Sequence, residues 1–252
     1  MKQPLRTLVL ALCCGLAAAC TQRQERLKLM SYNIRNGIGI DNIQDIGRIA
    51  RVILREAPDL VALQELDSAT LRVDGRYIPG ELGRMTGMHA TFGRAIGFAG
   101  GSYGVGLLSR TEPLAVRSIP LPGREEARVL LMAEFPDYTV CVTHLSLTPE
   151  DRHASLPLIL QATDTCRKPV LLAGDFNTGD AAAVLAGLGG GFRILSDTTR
   201  MTFPSDNPAV RRRACQLLHA AFRVEAQDQG GAVTVTDPEA VESIFASFGY
   251  ER

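Results

Sequence analysis

Five polar residues define the chemistry open to this chain. Asn33, Glu65, His144, Asp175 and Asn177 each stand at or just past the end of a short apolar run. Taken singly, each has a local role. Asn33 could cap the loop after its strand, and Glu65 could begin a turn. His144 could be a satisfied core histidine. Asp175 and Asn177 could close an Asx-type turn after Gly174. Taken together they form a set that several strands deliver to one end of a sheet, which is how an open sheet builds a site. Two carboxylates and two amides supply hard oxygen and hydrogen-bonding groups suited to Mg²⁺ and phosphate. An imidazole beside them adds a proton-transfer or charge-stabilising group.

The elements that must position these residues follow from periodicity. Leu27 to Asn33 alternates apolar and polar, as a half-buried strand does. Ile43, Ile46, Ile49, Val52 and Ile53 have helical spacing, and Pro58 stops that helix. Leu60-Val61-Ala62-Leu63 is a short strand ending in Gln64-Glu65. Residues 77–88 read as a helix with Tyr77, Leu82 and Met85 on one face. A Gly-rich loop is expected over 97–104, leading into a strand from Val105 to Ser109. Val129–Phe135 and Thr139–His144 read as strands joined by a turn at Pro136-Asp137. A helix is expected over 150–166, a strand over Val170–Ala173 ending at Gly174-Asp175, and a short helix over Ala181–Leu188. No repeat or long linker interrupts this α/β pattern, so one domain is expected from residue 26 to 252.

Composition limits the partners. The 252 residues are 46% hydrophobic and 21% charged, which is globular rather than disordered. Lys and Arg (27) balance Asp and Glu (27), so the chain is not built to coat long nucleic acid by charge alone. Trp is absent, which weakens a base-stacking groove.

The first segment stands apart. Lys2 and Arg6 precede an apolar run, Leu8 to Ala19, too short to span a bilayer, and Cys20 comes next. Residues 1–19 read as a signal for export to the bacterial cell envelope, with a lipid on Cys20 as membrane anchor. Cleavage by ordinary signal peptidase, leaving Cys20 bare, is the other reading, since Ala17 stands where a lipobox has Leu. Loss of residues 1–19 removes Lys2, Arg6 and no acid, leaving 25 basic against 27 acidic side chains. Cys141, Cys166 and Cys215 then remain with Cys20. They show no metal-cluster spacing, and one disulfide or buried free thiols are both open.

LKLMSYNIRNG (27–37), PDLVALQELD (58–67), GSYGVGLLSR (101–110), VCVTHLS (140–146) and PVLLAGDFNT (169–178) occur in that order, with TFPSDNP (202–208) after them. This succession resembles the endonuclease/exonuclease/phosphatase superfamily, the DNase I-like metal-dependent phosphoesterases. The resemblance implies an α/β four-layer sandwich, with two mixed β-sheets face to face and helices outside. It implies hydrolysis of a phosphodiester or phosphomonoester by in-line attack of water, with Mg²⁺ or Mn²⁺ as cofactor. Glu65 matches the metal-binding Glu, and Asn33 the Asn that helps position metal and phosphate. Asp175 and Asn177 match the pair that orients water and contacts phosphate. His144 matches the histidine at the scissile phosphate or leaving group. Tyr103 matches a substrate-facing aromatic, and Arg128 a phosphate-side arginine, with a solvated strand-end charge as its alternative. The substrate implied is a phosphate ester of lipid, sugar or nucleic acid, and no protein partner is implied by the enzyme reading.

The C-terminal quarter departs from this pattern. Ala214-Cys215 stands where the family has Asp-Tyr, and Val241-Glu242-Ser243 where it has Ser-Asp-His. The family's water-activating histidine and its carboxylate partner are therefore missing, unless Glu242 substitutes for the latter. His219 lies on another segment and is expected to face solvent. Arg211, Arg212 and Arg213 could grip a phosphate, although a solvated basic turn is the plainer reading. Two functions remain: a weakened phosphoesterase, or a lipid-anchored pseudoenzyme that binds a phosphorylated ligand or protein partner without hydrolysis.

Overall fold

The computed structural model describes residues 27–189 and 191–196, together with strands at Leu218–Arg223 and Val233–Val235. The export segment with Cys20, TFPSDNP, Arg211–Arg213, Ala214-Cys215 and Val241-Glu242-Ser243 lie outside the described residues.

Alternation along the strands sends successive side chains into different cores. Leu29, Leu60, Ala62 and Leu107 face Val129, Leu131, Ala133, Val140, Val142, Leu171 and Ala173 in one buried cluster. Their neighbours Met30, Val61, Leu63 and Leu108 point the other way and pack against Ile46, Ile49, Val52, Ile53 and Leu82. Leu130, Met132, Cys141, Val170 and Leu172 likewise pack against Leu156, Ile159, Val184 and Leu188. Three apolar layers on this pattern require four layers of structure: helices, sheet, sheet, helices.

The strands are β1 (Leu27–Asn33), β2 (Leu60–Ser68), β3 (His89–Phe98), β4 (Gly101–Ser109), β5 (Ala115–Leu121), β6 (Arg128–Glu134), β7 (Thr139–His144), β8 (Val170–Asp175), β9 (Arg193–Ile194), β10 (Leu218–Arg223) and β11 (Val233–Val235). One sheet has the order β11-β1-β2-β4-β3, and the other β5-β6-β7-β8-β10-β9. Both are mixed. β1–β2 and β7–β8 are parallel pairs, whereas β2–β4 and β6–β7 are antiparallel. The helices α1 (Ile46–Glu56) and α2 (Ile78–Thr86) cover the first sheet, and α3 (Pro149–Asp164) and α4 (Ala181–Gly187) the second.

The four-layer sandwich expected from the sequence is the observed fold, with four local corrections. The Gly-rich stretch 97–104 is not a loop: Ala99-Gly100 is a tight turn, and β3 and β4 run right up to it. β2 continues past Glu65 to Ser68. Ile43 and Tyr77 lie outside α1 and α2, and both are exposed. The edge strand β5 has no apolar alternation to announce it and contains Pro120, which an edge tolerates. Cys141 and Cys166 are free thiols, so no disulfide joins them.

Candidate functional site

Each element delivers its polar residue by a different local device. β1 ends on Asn33, whose Oδ1 accepts from Arg35 N at 3.0 Å and turns the chain out of the sheet. In β2 a bulge sets two residues, Gln64 and Glu65, opposite Val105 alone, between the pairs Leu63–Gly106 and Leu66–Gly104. Glu65 sits there at φ 55°, a left-handed conformation that costs a non-glycine residue roughly 1–2 kcal/mol. The bulge re-aims its carboxylate toward Asn33. β7 ends on His144 and β8 on Asp175, paired side by side. Gly174 lets those two strands close, because a Cβ there would collide with the Thr143 carbonyl. Asn177 N donates to Asp175 Oδ1 at 3.0 Å, and its Nδ2 donates to Leu145 O at 2.8 Å. The Asx turn and the shared site are therefore one arrangement rather than alternatives.

These ends converge. Asn33 Nδ2 donates to Glu65 Oε1 at 2.8 Å and to Asp175 Oδ2 at 3.1 Å, joining the two sheets. His144 Nε2 lies 3.8 Å from the same Asp175 Oδ2, beyond hydrogen-bond range. The structure thus brings Asn33, Glu65, His144, Asp175 and Asn177 together. Asp175 is fully buried, and burial pushes its carboxyl up to about 7; the Glu65 charge adds to this, against the bonds from Asn177 and Asn33. Burial, aided by the Arg128 charge, drives the His144 imidazole down to about 3. His144 is thus neutral at physiological pH in this structure.

Arg128 begins β6 and is 6% exposed, so it is no solvated strand-end charge. It donates to Glu126 at 3.0 Å and to Glu125 at 3.2 Å. Tyr103 is buried in β4, its phenol pushed up by burial and then by the Glu65 charge. Sequence reasoning misses Arg72. Its guanidinium lies 4.5 Å from the Phe98 ring centre and 5.0 Å from that of Tyr103. It also donates to the buried Asp67 at 2.8 Å and to Asn36 at 2.7 Å. Asp67 closes the LQELD run just past the bulge, and only that nearness could have flagged it. Glu125 and Glu126, beside Arg128 in the sequence, are missed in the same way.

The donor set can be tested against a divalent cation. Glu65 and Asp175 direct two carboxylates onto one amide, and burial first, then the Glu65 charge, makes Asp175 hold its proton more tightly. Two carboxylates this close, Asp175 buried and Glu65 half-buried, offer hard oxygens that fit Mg²⁺ or Mn²⁺. Asn33 presents its amide nitrogen to the carboxylates and its oxygen to Arg35 N. Among the described residues no group of three or more His, Cys, Asp or Glu is placed to hold a metal ion.

Two mixed sheets packed face to face, with acids and amides at the strand ends, make a sandwich whose site lies at one end of both sheets. The endonuclease/exonuclease/phosphatase family model matches residues 30–226, and the chain belongs to that family. Similar folds occur in an endonuclease/exonuclease/phosphatase protein from Beutenbergia cavernae (TM-score 0.62, 22% identity, covering 79% of this chain and 64% of that one). They occur also in D. rerio TDP2 complexed with single-strand DNA product (TM-score 0.57, 21% identity, 80% and 85% covered). A third is the Bacteroides thetaiotaomicron mannosyl-6-phosphatase (TM-score 0.57, 16% identity, 77% and 84% covered). No curated protein matches the chain.

Proposed function

We propose that this chain is a divalent-metal-dependent phosphoesterase, slowed by the loss of the family's terminal Asp-His signature. The observation that carries the reading is the meeting of the Glu65 and Asp175 carboxylates on the half-buried Asn33 amide, with His144 3.8 Å from Asp175. Glu65 would hold Mg²⁺ or Mn²⁺, with Asn33 fixing the angle of its carboxylate. When bound, the ion supplies neutralisation of charge on the phosphoryl oxygens. Arg128 donates to those oxygens, and its buried Nε has no hydrogen-bond partner among the described residues. Asp175 and Asn177 place the attacking water in line, and placement alone is worth several kcal/mol. His144, being neutral, donates a hydrogen bond at the phosphate or leaving group rather than a charge. Tyr103 lines the substrate side.

Solved relatives with this fold include one complexed with single-strand DNA product and one named a mannosyl-6-phosphatase. A phosphate ester of nucleic acid, sugar or lipid is the substrate class. Val241-Glu242-Ser243 in place of Ser-Asp-His favours a second reading, a pseudoenzyme that binds a phosphorylated ligand or protein partner. Assay of bis-p-nitrophenyl phosphate and p-nitrophenyl phosphate with Mg²⁺ and Mn²⁺ separates the two. Slow hydrolysis abolished by chelator is expected, and no hydrolysis at any pH hands the chain to the second reading.

Export with lipid on Cys20 is part of the proposal, supported by Leu8–Ala19 and the small residues before Cys20. Stable anchoring needs more than one acyl chain. Fractionation of cells carrying wild type and Cys20→Ala tests it, with release of the variant alone expected. Equal release of both would reject the lipid, and a cytoplasmic chain retaining Met1 would reject export.

A further inference from the structure

The segment just after His144 is held from outside itself. Glu125 collects its donors: Ser146 Oγ at 2.7 Å, Leu147 N at 2.7 Å and Thr148 Oγ1 at 3.2 Å. The same carboxylate accepts from Arg128 Nη2 at 3.2 Å. Arg152, on α3, donates to the carbonyls of Ser146 at 3.1 Å and Leu147 at 2.6 Å. The start of the segment is tied to the centre of the site. Leu145 N donates to Asp175 O at 2.8 Å, and Leu145 O accepts from Asn177 Nδ2 at 2.8 Å.

We propose that Glu125 is a positioning residue, which sets Arg128 and the His144–Thr148 segment in a single geometry for phosphate. The inference rests on the phosphoesterase reading above. A carboxylate is the only side-chain group that can accept from so many donors at once, since each oxygen offers two lone pairs and neither carries a hydrogen. Charge-assisted bonds of this kind are stronger than neutral ones and fix direction as well as distance. Burial works against the charge, yet the bonds from Ser146, Leu147 and Arg128 outweigh it and hold the Glu125 carboxyl down to about 2. Glu125 is therefore ionised throughout the physiological range. Its links reach Arg128 directly, His144 across two residues and Asn177 through Leu145. A displacement of 1 Å at reacting groups can cost 10²-fold in rate.

The neighbouring residue provides a contrast. Arg124 grips Asp151 through N, Nε and Nη2 at 2.8, 3.0 and 2.9 Å. It ties the same loop to α3, and the hydrogen bonds it makes go to Asp151 rather than to Arg128 or the segment after His144. Arg124→Ala therefore loosens the loop and leaves the partners of Glu125 in place. Glu125→Gln keeps the shape and turns an amide N–H against donors.

The experiment compares wild type, Glu125→Gln and Arg124→Ala in the purified full chain. Affinity for inorganic phosphate is read by calorimetry, and the assigned His144 ring resonances by NMR without substrate. Glu125→Gln is expected to weaken phosphate at least about fivefold and to move the His144 resonances. Arg124→Ala is expected to change phosphate affinity less than about twofold and leave those resonances in place. Where esters are hydrolysed, the rise in KM of Glu125→Gln follows its loss of phosphate affinity. The role is overturned if Glu125→Gln leaves the His144 resonances unmoved, or if Arg124→Ala moves them equally. Failure of the phosphoesterase reading shows separately, as wild type that neither hydrolyses ester nor binds phosphate, while the resonances still decide Glu125.

Discussion

The two sheets reach the same site by opposite means. The first places Glu65 with a backbone device, one bulge and one left-handed residue, and Asn33 lies at the end of the neighbouring strand. The second ends β7 and β8 in register and then needs side chains from three other segments to hold the chain beyond β7: Glu125, Arg152 and Asn177. A backbone device is local and rigid, and one substitution decides it. A web of side chains is spread over many residues, and each can be weakened in part.

The largest expected effect sits where the two meet. Asp175→Ala is expected to lower kcat/KM about 10³-fold, within the roughly 10²–10⁴-fold that one positioned acid–base group contributes. Loss of less than about tenfold would show that the second sheet only scaffolds. On the first sheet, Glu65→Ala is expected to abolish divalent-ion binding in calorimetry, and titration curves matching wild type would misplace the metal site.

Stability effects come next. Gly174→Ala drives a methyl into the Thr143 carbonyl, and overpacking of this sort costs about 1–3 kcal/mol. Chemical denaturation should show that loss, and a neutral result would mean β7 and β8 can part without cost. Glu65→Gly should be about 1 kcal/mol more stable than Glu65→Ala, because glycine accepts a φ of 55° without strain. Equal stability of the pair would remove strain from the account of the bulge.

The smallest effects are those of pH. Glu125 is held at about 2, below its ordinary 4.5. Its contribution to stability is then full above about pH 4.5 and is lost as pH falls toward 2, so the stability curve of Glu125→Gln should be flatter across that window. His144 is pushed down to about 3 and stays neutral, so its ring nitrogens should keep neutral-imidazole NMR shifts between pH 5 and 8, with only the small perturbation transmitted as the nearby Asp175 carboxyl, at about 7, ionises. A histidine inflection in that range would mean that the site is wetter than described.

The sequence made the frame legible because its signals are periodic. β1, β2, β6, β7 and β8 alternate into two cores, and the polar residue that breaks each alternation marks the site end. β3 escaped because glycines at 93 and 97 interrupt its pattern, and β5 because its residues are mostly exposed. The continuation of β2 escaped because a bulge displaces the period by one residue just where Glu65 stands. Arg72 and Glu125 escaped for another reason. Their partners lie up to tens of residues away, as in Arg72–Asn36 and Glu125–Thr148, and no local period records such bonds.

The bond from Asn33 to Asp175 spans 142 residues and crosses from one sheet to the other. Contacts so distant in sequence close late, after the entropy of the intervening chain has been spent. Neither sheet by itself assembles the pair of acids. A chain released from the ribosome only as far as β7 carries Asn33, Glu65 and His144 and still lacks Asp175. The site therefore arrives in one step, when the sheets dock, and on the proposed reading a chain not yet folded would have no hydrolytic activity toward phosphate esters.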